Sequence, residues 1–152
     1  MQSFDFQVVL NTPLERVFAV YVDVERWRNR NQFGEIRWIK GRPWAVGSRL
    51  HIEIESPIRT SVEQVVQHFT PNESVSYLSE VLGITCEMRV TFTVASERQT
   101  AINVVMHLVG SASRALDFAL APMIKEAVKG LFEELRKECD NPSLRADGIL
   151  LP

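Results

Sequence analysis

Hydrophobic and polar positions alternate over most of the chain before residue 110. In Ser3–Leu10, Phe4, Phe6, Val8 and Leu10 alternate with Asp5, Gln7 and Val9, the period of a strand with one buried face. Asn11-Thr12-Pro13 ends that strand. Thr12 is placed to cap a helix, Pro13 suits the first helical position, and Glu15 stands three residues after Thr12. The short helix that follows carries Val17, Phe18 and Tyr21 on its apolar side. Asp23 opens a second short turn bearing Trp27.

From Glu35 the alternation returns and persists. Glu35–Lys40 reads as a strand, Gly41 to Gly47 as a turn, and Arg49–Glu55 as a strand with Leu50, Ile52 and Ile54 on one face. Ser61–Thr70, Val75–Leu82, Thr85–Ala95 and Thr100–Val109 follow, divided by Pro71-Asn72-Glu73, Gly83 and Ser96–Gln99. Cys86, Met88, Val90, Phe92 and Val94 share one face of Thr85–Ala95; Ile102, Val104, Met106 and Leu108 share one face of the last strand. Turns this short join antiparallel neighbours.

After Gly110 the period changes. Ser111 is placed to cap a helix reaching about Cys139, roughly 43 Å long if unbroken. Leu116, Leu120, Met123, Ala127, Leu131 and Leu135 draw its apolar stripe. Its first half is poor in charge and its second half rich. Pro122 should kink or interrupt it, and Asn141-Pro142 stops it. The predicted fold is therefore α+β. A curved seven-stranded antiparallel sheet wraps a long C-terminal helix, with two short helices between the first and second strands. Residues 1–140 form one domain and 141–152 a tail.

Composition narrows the function only by exclusion. The 152 residues are 45% hydrophobic and 24% charged, with a formal net charge of −2, which gives no footprint for a nucleic-acid partner. Arg26, Arg28 and Arg30 are interleaved with Asp23, Glu25 and Glu35 and read as a solvated turn. The two cysteines, Cys86 and Cys139, and three histidines show no metal-binding spacing, so no metal or cofactor is expected. Reduced thiols in a cytoplasmic protein are expected, with neither a signal peptide nor a membrane span.

Phe4-x-Phe6-x-Val8-x-Leu10-Asn11-Thr12-Pro13-x-x-x-Val17-Phe18, followed by Asp23-x-Glu25-x-Trp27, resembles the opening of the START-like superfamily. This group holds polyketide cyclases and dehydrases, lipid-transport proteins and birch-pollen-allergen-like proteins. Val46-Gly47-Ser48 after Gly41 resembles its second hairpin. Leu131-x-x-Glu134-Leu135-x-x-Glu138 resembles the end of its long helix. Over residues 3–139 the resemblance implies a helix-grip fold with an apolar cavity under the helix, taking lipids, polyketides or aromatic compounds. It transfers no catalytic set.

The expected cavity lies between the sheet and helix residues Ala115–Ala127. Its expected lining is Phe6, Gln64, Met88, Val90, Phe92, Val104, Met106, Phe118 and Met123. Trp27 reads as a core anchor. The strand Ser61–Thr70 admits two readings: either Val62, Gln64, Val66 and His68 face inward, or Val65 and Phe69 do. In the first, His68 is the acid–base candidate, with Gln64 holding a carbonyl and Tyr77 assisting. A carrier of a small hydrophobic molecule and a small cyclase or dehydratase therefore both stand. A regulatory module without a ligand is a third possibility.

Overall fold

A computed structural model describes residues 2–27, 32–56, 58–110 and 114–141, with side chains of 114–118 left aside. Seven strands form a single antiparallel sheet in the order β1-β7-β6-β5-β4-β3-β2. They are β1 (Gln2–Leu10), β2 (Phe33–Lys40), β3 (Arg49–Ile54), β4 (Thr60–Thr70), β5 (Ser74–Val81), β6 (Ile84–Ser96) and β7 (Gln99–Val109). Strands β2 to β7 make a meander, and β1 pairs with β7, leaving β1 and β2 as the two edges. The chain crosses between those edges through α1 (Leu14–Val22) and α2 (Val24–Trp27).

The alternation expected for β1, β3, β6 and β7 is the alternation observed. Val8, Leu10, Leu50, Ile52, Cys86, Met88, Val90, Phe92, Ile102, Val104, Met106 and Leu108 are all buried. Helix α3 (Arg114–Asp140) packs on this side of the sheet and continues through Pro122 uninterrupted. The expected Ser111 cap, the Phe118 side chain and the tail from 142 to 152 lie outside the described residues.

Strand β4 follows neither predicted pattern throughout. Val66 pairs with Tyr77 but His68 pairs with Ser76, so Gln67 is an extra residue at an irregularity in the ladder. Val62 and Val66 are buried before it; Phe69, after it, packs its ring 5.6 Å from that of Phe18. The inward phase therefore shifts by one residue, and His68 turns outward.

Thr12 also departs from expectation. Pro13 is the N-cap of α1, and no side-chain hydrogen bond caps that helix. The Thr12 hydroxyl instead donates to the Cys139 carbonyl (3.0 Å) and is 2.7 Å from Asp140 Oδ1. The Asn11 amide donates to Asp140 Oδ2 at 3.1 Å, and Arg26 pairs with Glu138 at 3.1 Å. These contacts fasten the C-terminal end of α3 to the corner between β1 and α1, and the Phe6 and Phe132 rings meet edge-on at 5.8 Å. The helix consequently packs most closely over β1.

Trp27 is 5% exposed, its indole N–H donates to the Tyr21 carbonyl at 3.0 Å, and its ring lies 6.3 Å from Phe33 and 6.2 Å from Trp44. Truncating so large a buried ring removes apolar contact and strands a carbonyl. Trp27→Ala is expected to lower the unfolding free energy by about 3–5 kcal/mol in urea titration. A loss below about 1 kcal/mol would mean that the ring is not a core anchor.

Candidate functional site: a neutral cavity beside the long helix

Because α3 lies over β1, space remains between its other flank and β3–β6. It forms a cavity of about 150 Å³. Strand residues Ile52, Ile54, Val62, Gln64, Tyr77, Ser79, Cys86 and Met88 provide one wall. Leu120, Ile124, Val128, Phe132 and Leu135, one stripe of α3, provide the other. Leu82 and Met123 also line the space and are 41% and 36% exposed, so it reaches the surface between the β5–β6 turn and the helix.

The opposite end is closed by aromatic rings. The Tyr21 ring stacks on Phe132 (5.8 Å, 17° between planes) and lies within 5.4–6.1 Å of Phe92, Trp27 and Trp44. Trp44 also stacks on Phe69 at 5.8 Å and donates its indole N–H to the Val22 carbonyl at 2.7 Å. Trp38 meets Trp44 edge-on at 5.4 Å, so both tryptophans of the hairpin pack against the structure.

Of the residues expected in the lining, Gln64, Met88 and Met123 are there, and so is Tyr77, named above as an assisting group. Val90, Phe92, Val104 and Met106 face inward but belong to solid core, buried at 3% exposure or less outside the cavity. Phe6 is spent on its contact with Phe132. The later part of β6 and its β7 neighbours are covered by α1, whose Phe18 ring lies 5.1 Å from that of Phe92, while Cys86 and Met88 at the start of β6 line the cavity with β3–β5. His68 is corrected more sharply. The ladder irregularity puts it on the outer face, where its exposed ring meets Thr70 Oγ1 at 2.9 Å, away from the cavity and from Gln64.

Gln32, Ser79 and Thr60, not expected from the sequence, also line the cavity. Ser79 was within reach, since it shares a strand face with Tyr77. Gln32 had no periodic signal, because it precedes β2 in a turn.

Among the described lining residues there is no Asp, Glu, His, Lys or Arg. Three groups there can titrate: Tyr21, Tyr77 and Cys86. The Tyr77 hydroxyl is 2.9 Å from that of Tyr21 and donates to Met88 Sδ at 3.1 Å. A thioether only accepts, so Tyr21 is the donor to Tyr77. Burial pushes the Tyr77 pKa well above its ordinary value, and the neighbouring Tyr21 adds to the shift. Burial likewise raises the Cys86 thiol to about 11, while the Ser79 hydroxyl, which donates to the Cys86 carbonyl at 3.5 Å, pulls the other way. At neutral pH the cavity is uncharged, and its thiol is not a nucleophile. No group of metal-ligating side chains occurs among the described residues.

Compared by sequence, the chain matches no family profile and no curated protein. Compared by structure, it is similar to the Zhui aromatase/cyclase from Streptomyces sp. R1128. Identity is 10% and the TM-score 0.79, over 97% of this chain and 99% of that one. It is also similar to Ara h 8.0201, with 14% identity, a TM-score of 0.71, and 89% and 95% of the two chains covered. A START superfamily protein from Mycobacterium smegmatis gives 14% identity and a TM-score of 0.69 over 89% and 97% of the two chains. The chain has the START-like helix-grip fold. At these identities the START-like likeness is one of architecture, and residue roles do not transfer.

Burial of the two thiols implies a pH dependence for the stability of this helix-grip domain. Burial raises Cys139 to about 12 and Cys86 to about 11, from 9.0 for each when unperturbed. Below pH 9 both are protonated whether the chain is folded or not, and their contribution to stability is whole. Above that, the unfolded chain releases protons first, so stability falls and the contribution is lost as pH passes the folded values. Tyr77 acts in the same sense. Unfolding free energy is expected to drop between about pH 9 and pH 11, and Cys86→Ala/Cys139→Ala should flatten that drop. Equal slopes in the two proteins would show that the thiols titrate freely.

Proposed function

We propose that this protein binds a small, uncharged, largely apolar molecule in the cavity between α3 and β3–β6, as a carrier or binding protein. The supporting observation is the lining itself, apolar on both walls with hydroxyl, amide and thiol groups but no charged side chain among the described residues. A buried ionic group on a ligand would meet no counter-charge there, a heavy penalty in so apolar a site. The volume of about 150 Å³ suits one or two fused rings, with any longer part leaving between Leu82 and Met123.

The cyclase or dehydratase reading draws support from the fold shared with the Zhui aromatase/cyclase. It requires a group that exchanges protons near neutral pH. His68 is outside, and Tyr77 and Cys86 hold their protons. The binding reading needs no such group and is the one adopted. It assumes a cytoplasmic protein with reduced thiols and no nucleic-acid partner. Cys86 and Cys139 are both free and buried, and no helix among the described residues is long and apolar enough to cross a membrane.

Calorimetric titration with naphthalene and naphthalene-1-sulfonate tests this. Naphthalene is expected to bind and the sulfonate not to. Ala127→Trp, which places a ring in the cavity from the α3 side, should weaken naphthalene by about tenfold or more. Val94→Trp, at an exposed position of β6, should leave it unchanged. Equal binding by wild type and a folded Ala127→Trp would remove the cavity as the site.

A further inference from the structure

Leu82 stands in the β5–β6 turn at the mouth of the cavity, and two of its properties are unfavourable to the empty protein. The turn has two residues, Leu82 and Gly83, after the last ladder pair, Val81 with Ile84. Both take positive φ, 52° and 82°. Two-residue turns with this backbone favour Asn-Gly, because the side chains of most other residues crowd the backbone at positive φ. Leu82 is also a large apolar side chain left exposed to water.

Among the described residues, Trp44 and Asn72 are the other non-glycine residues with positive φ. Each has a local reason. Asn tolerates this backbone. Trp44 is buried, stacked on Phe69 and hydrogen-bonded to the Val22 carbonyl, so its packing offsets its strain. Leu82 has neither reason, since it lies outside the buried core. Its side chain instead lines the cavity, with Val81 beside it and Met123 of α3 on the other side of the opening. Met123 is exposed there as well. An apolar group lying between these two side chains would release the water that now covers them.

We propose that Leu82 is a specificity-determining residue of the cavity, covering an apolar substituent where it leaves the ring of a neutral ligand. The proposal rests on the binding reading above and adds to it the shape of the ligand: a ring that carries a short alkyl chain. The chain passes between Leu82 and Met123, and the ring stays inside. The strain and exposure of Leu82 are then offset by ligand contact and not by the fold.

Naphthalene and 2-butylnaphthalene test this, titrated by their own fluorescence. In wild type each buried methylene should tighten binding by about three- to fourfold, so the butyl compound should bind at least tenfold more tightly. Leu82→Asn and Leu82→Gly remove the side chain while suiting the turn. In both, the advantage of the butyl compound should shrink by at least threefold, with naphthalene affinity unchanged. A second readout needs no ligand: the urea midpoint of both empty variants should be unchanged or higher, because the turn is relieved. A lower midpoint in both would show that Leu82 serves the fold, and the inference falls. It also falls, with the cavity still standing, if the butyl advantage is absent in wild type or the same in the variants, or if the variants lose naphthalene equally. If naphthalene does not bind wild type, the binding reading falls and this inference with it.

Discussion

Tyr21 sits where three parts of the fold meet. Its ring stacks on Phe132 of α3 and touches Trp27, Trp44 and Phe92, from α2, the β2–β3 turn and β6. Its hydroxyl reaches Tyr77 on β5, and its carbonyl takes the Trp27 indole. Aromatic pairs at these separations contribute about 0.5–1.5 kcal/mol each beyond the area they bury. Their larger effect is positional. They hold the short helices against the sheet, set the height at which α3 crosses it, and close the cavity at that end.

Closure at one end and the sideways seat of α3 together explain why this domain has both a packed core and a hollow. Over β1 the helix and sheet touch, α1 covers the later part of β6 through Phe18 and Phe92, and Val90, Val104 and Met106 are fully buried. Over β3–β5 the same helix stands off. The hollow is thus a product of asymmetric docking and not of small side chains, since Ile52, Ile54, Met88 and Leu120 all line it. Because no charged group among the described residues enters it, the electrostatic selectivity of the site comes from dipoles alone: two amides, several hydroxyls and a thiol.

The strands and long helix were legible because each buries one face, and a buried face leaves a periodic trace. β6 shows this best, with Cys86, Met88, Val90 and Phe92 all inward. What the sequence concealed depends on contacts between distant residues. Thr12 looked like a helix cap because its neighbours are Pro13 and Glu15; its real partners, Cys139 and Asp140, lie at the other end of the chain. That clasp helps set the lateral position of α3, so the cavity could not be located along the sheet from periodicity. β4 hid its phase for a different reason. One extra residue at Gln67 reverses the face of everything after it, and no side-chain type announces the irregularity. The candidate acid–base residue His68 was lost to that single residue.

The Thr12–Asp140 clasp has a mechanical consequence. The described hydrogen bonds and the Arg26–Glu138 ion pair that bind α3 to the rest of the fold gather near its C-terminus, while the stretch around Leu120 is held by apolar contact and by Lys125 over the Phe4 ring. Hydrogen bonds resist displacement in a chosen direction; apolar contact is non-directional and tolerates sliding. From Cys139 to Leu120 the helix measures about 28 Å. The clasp is the point about which any displacement of the helix would be smallest. A swing of about 5° there carries Leu120 through about 2.5 Å, close to the diameter of a water molecule, while the aromatic end barely moves. The gap between Leu82 and Met123 therefore lies on the side of the cavity away from the clasp, where such a displacement is greatest.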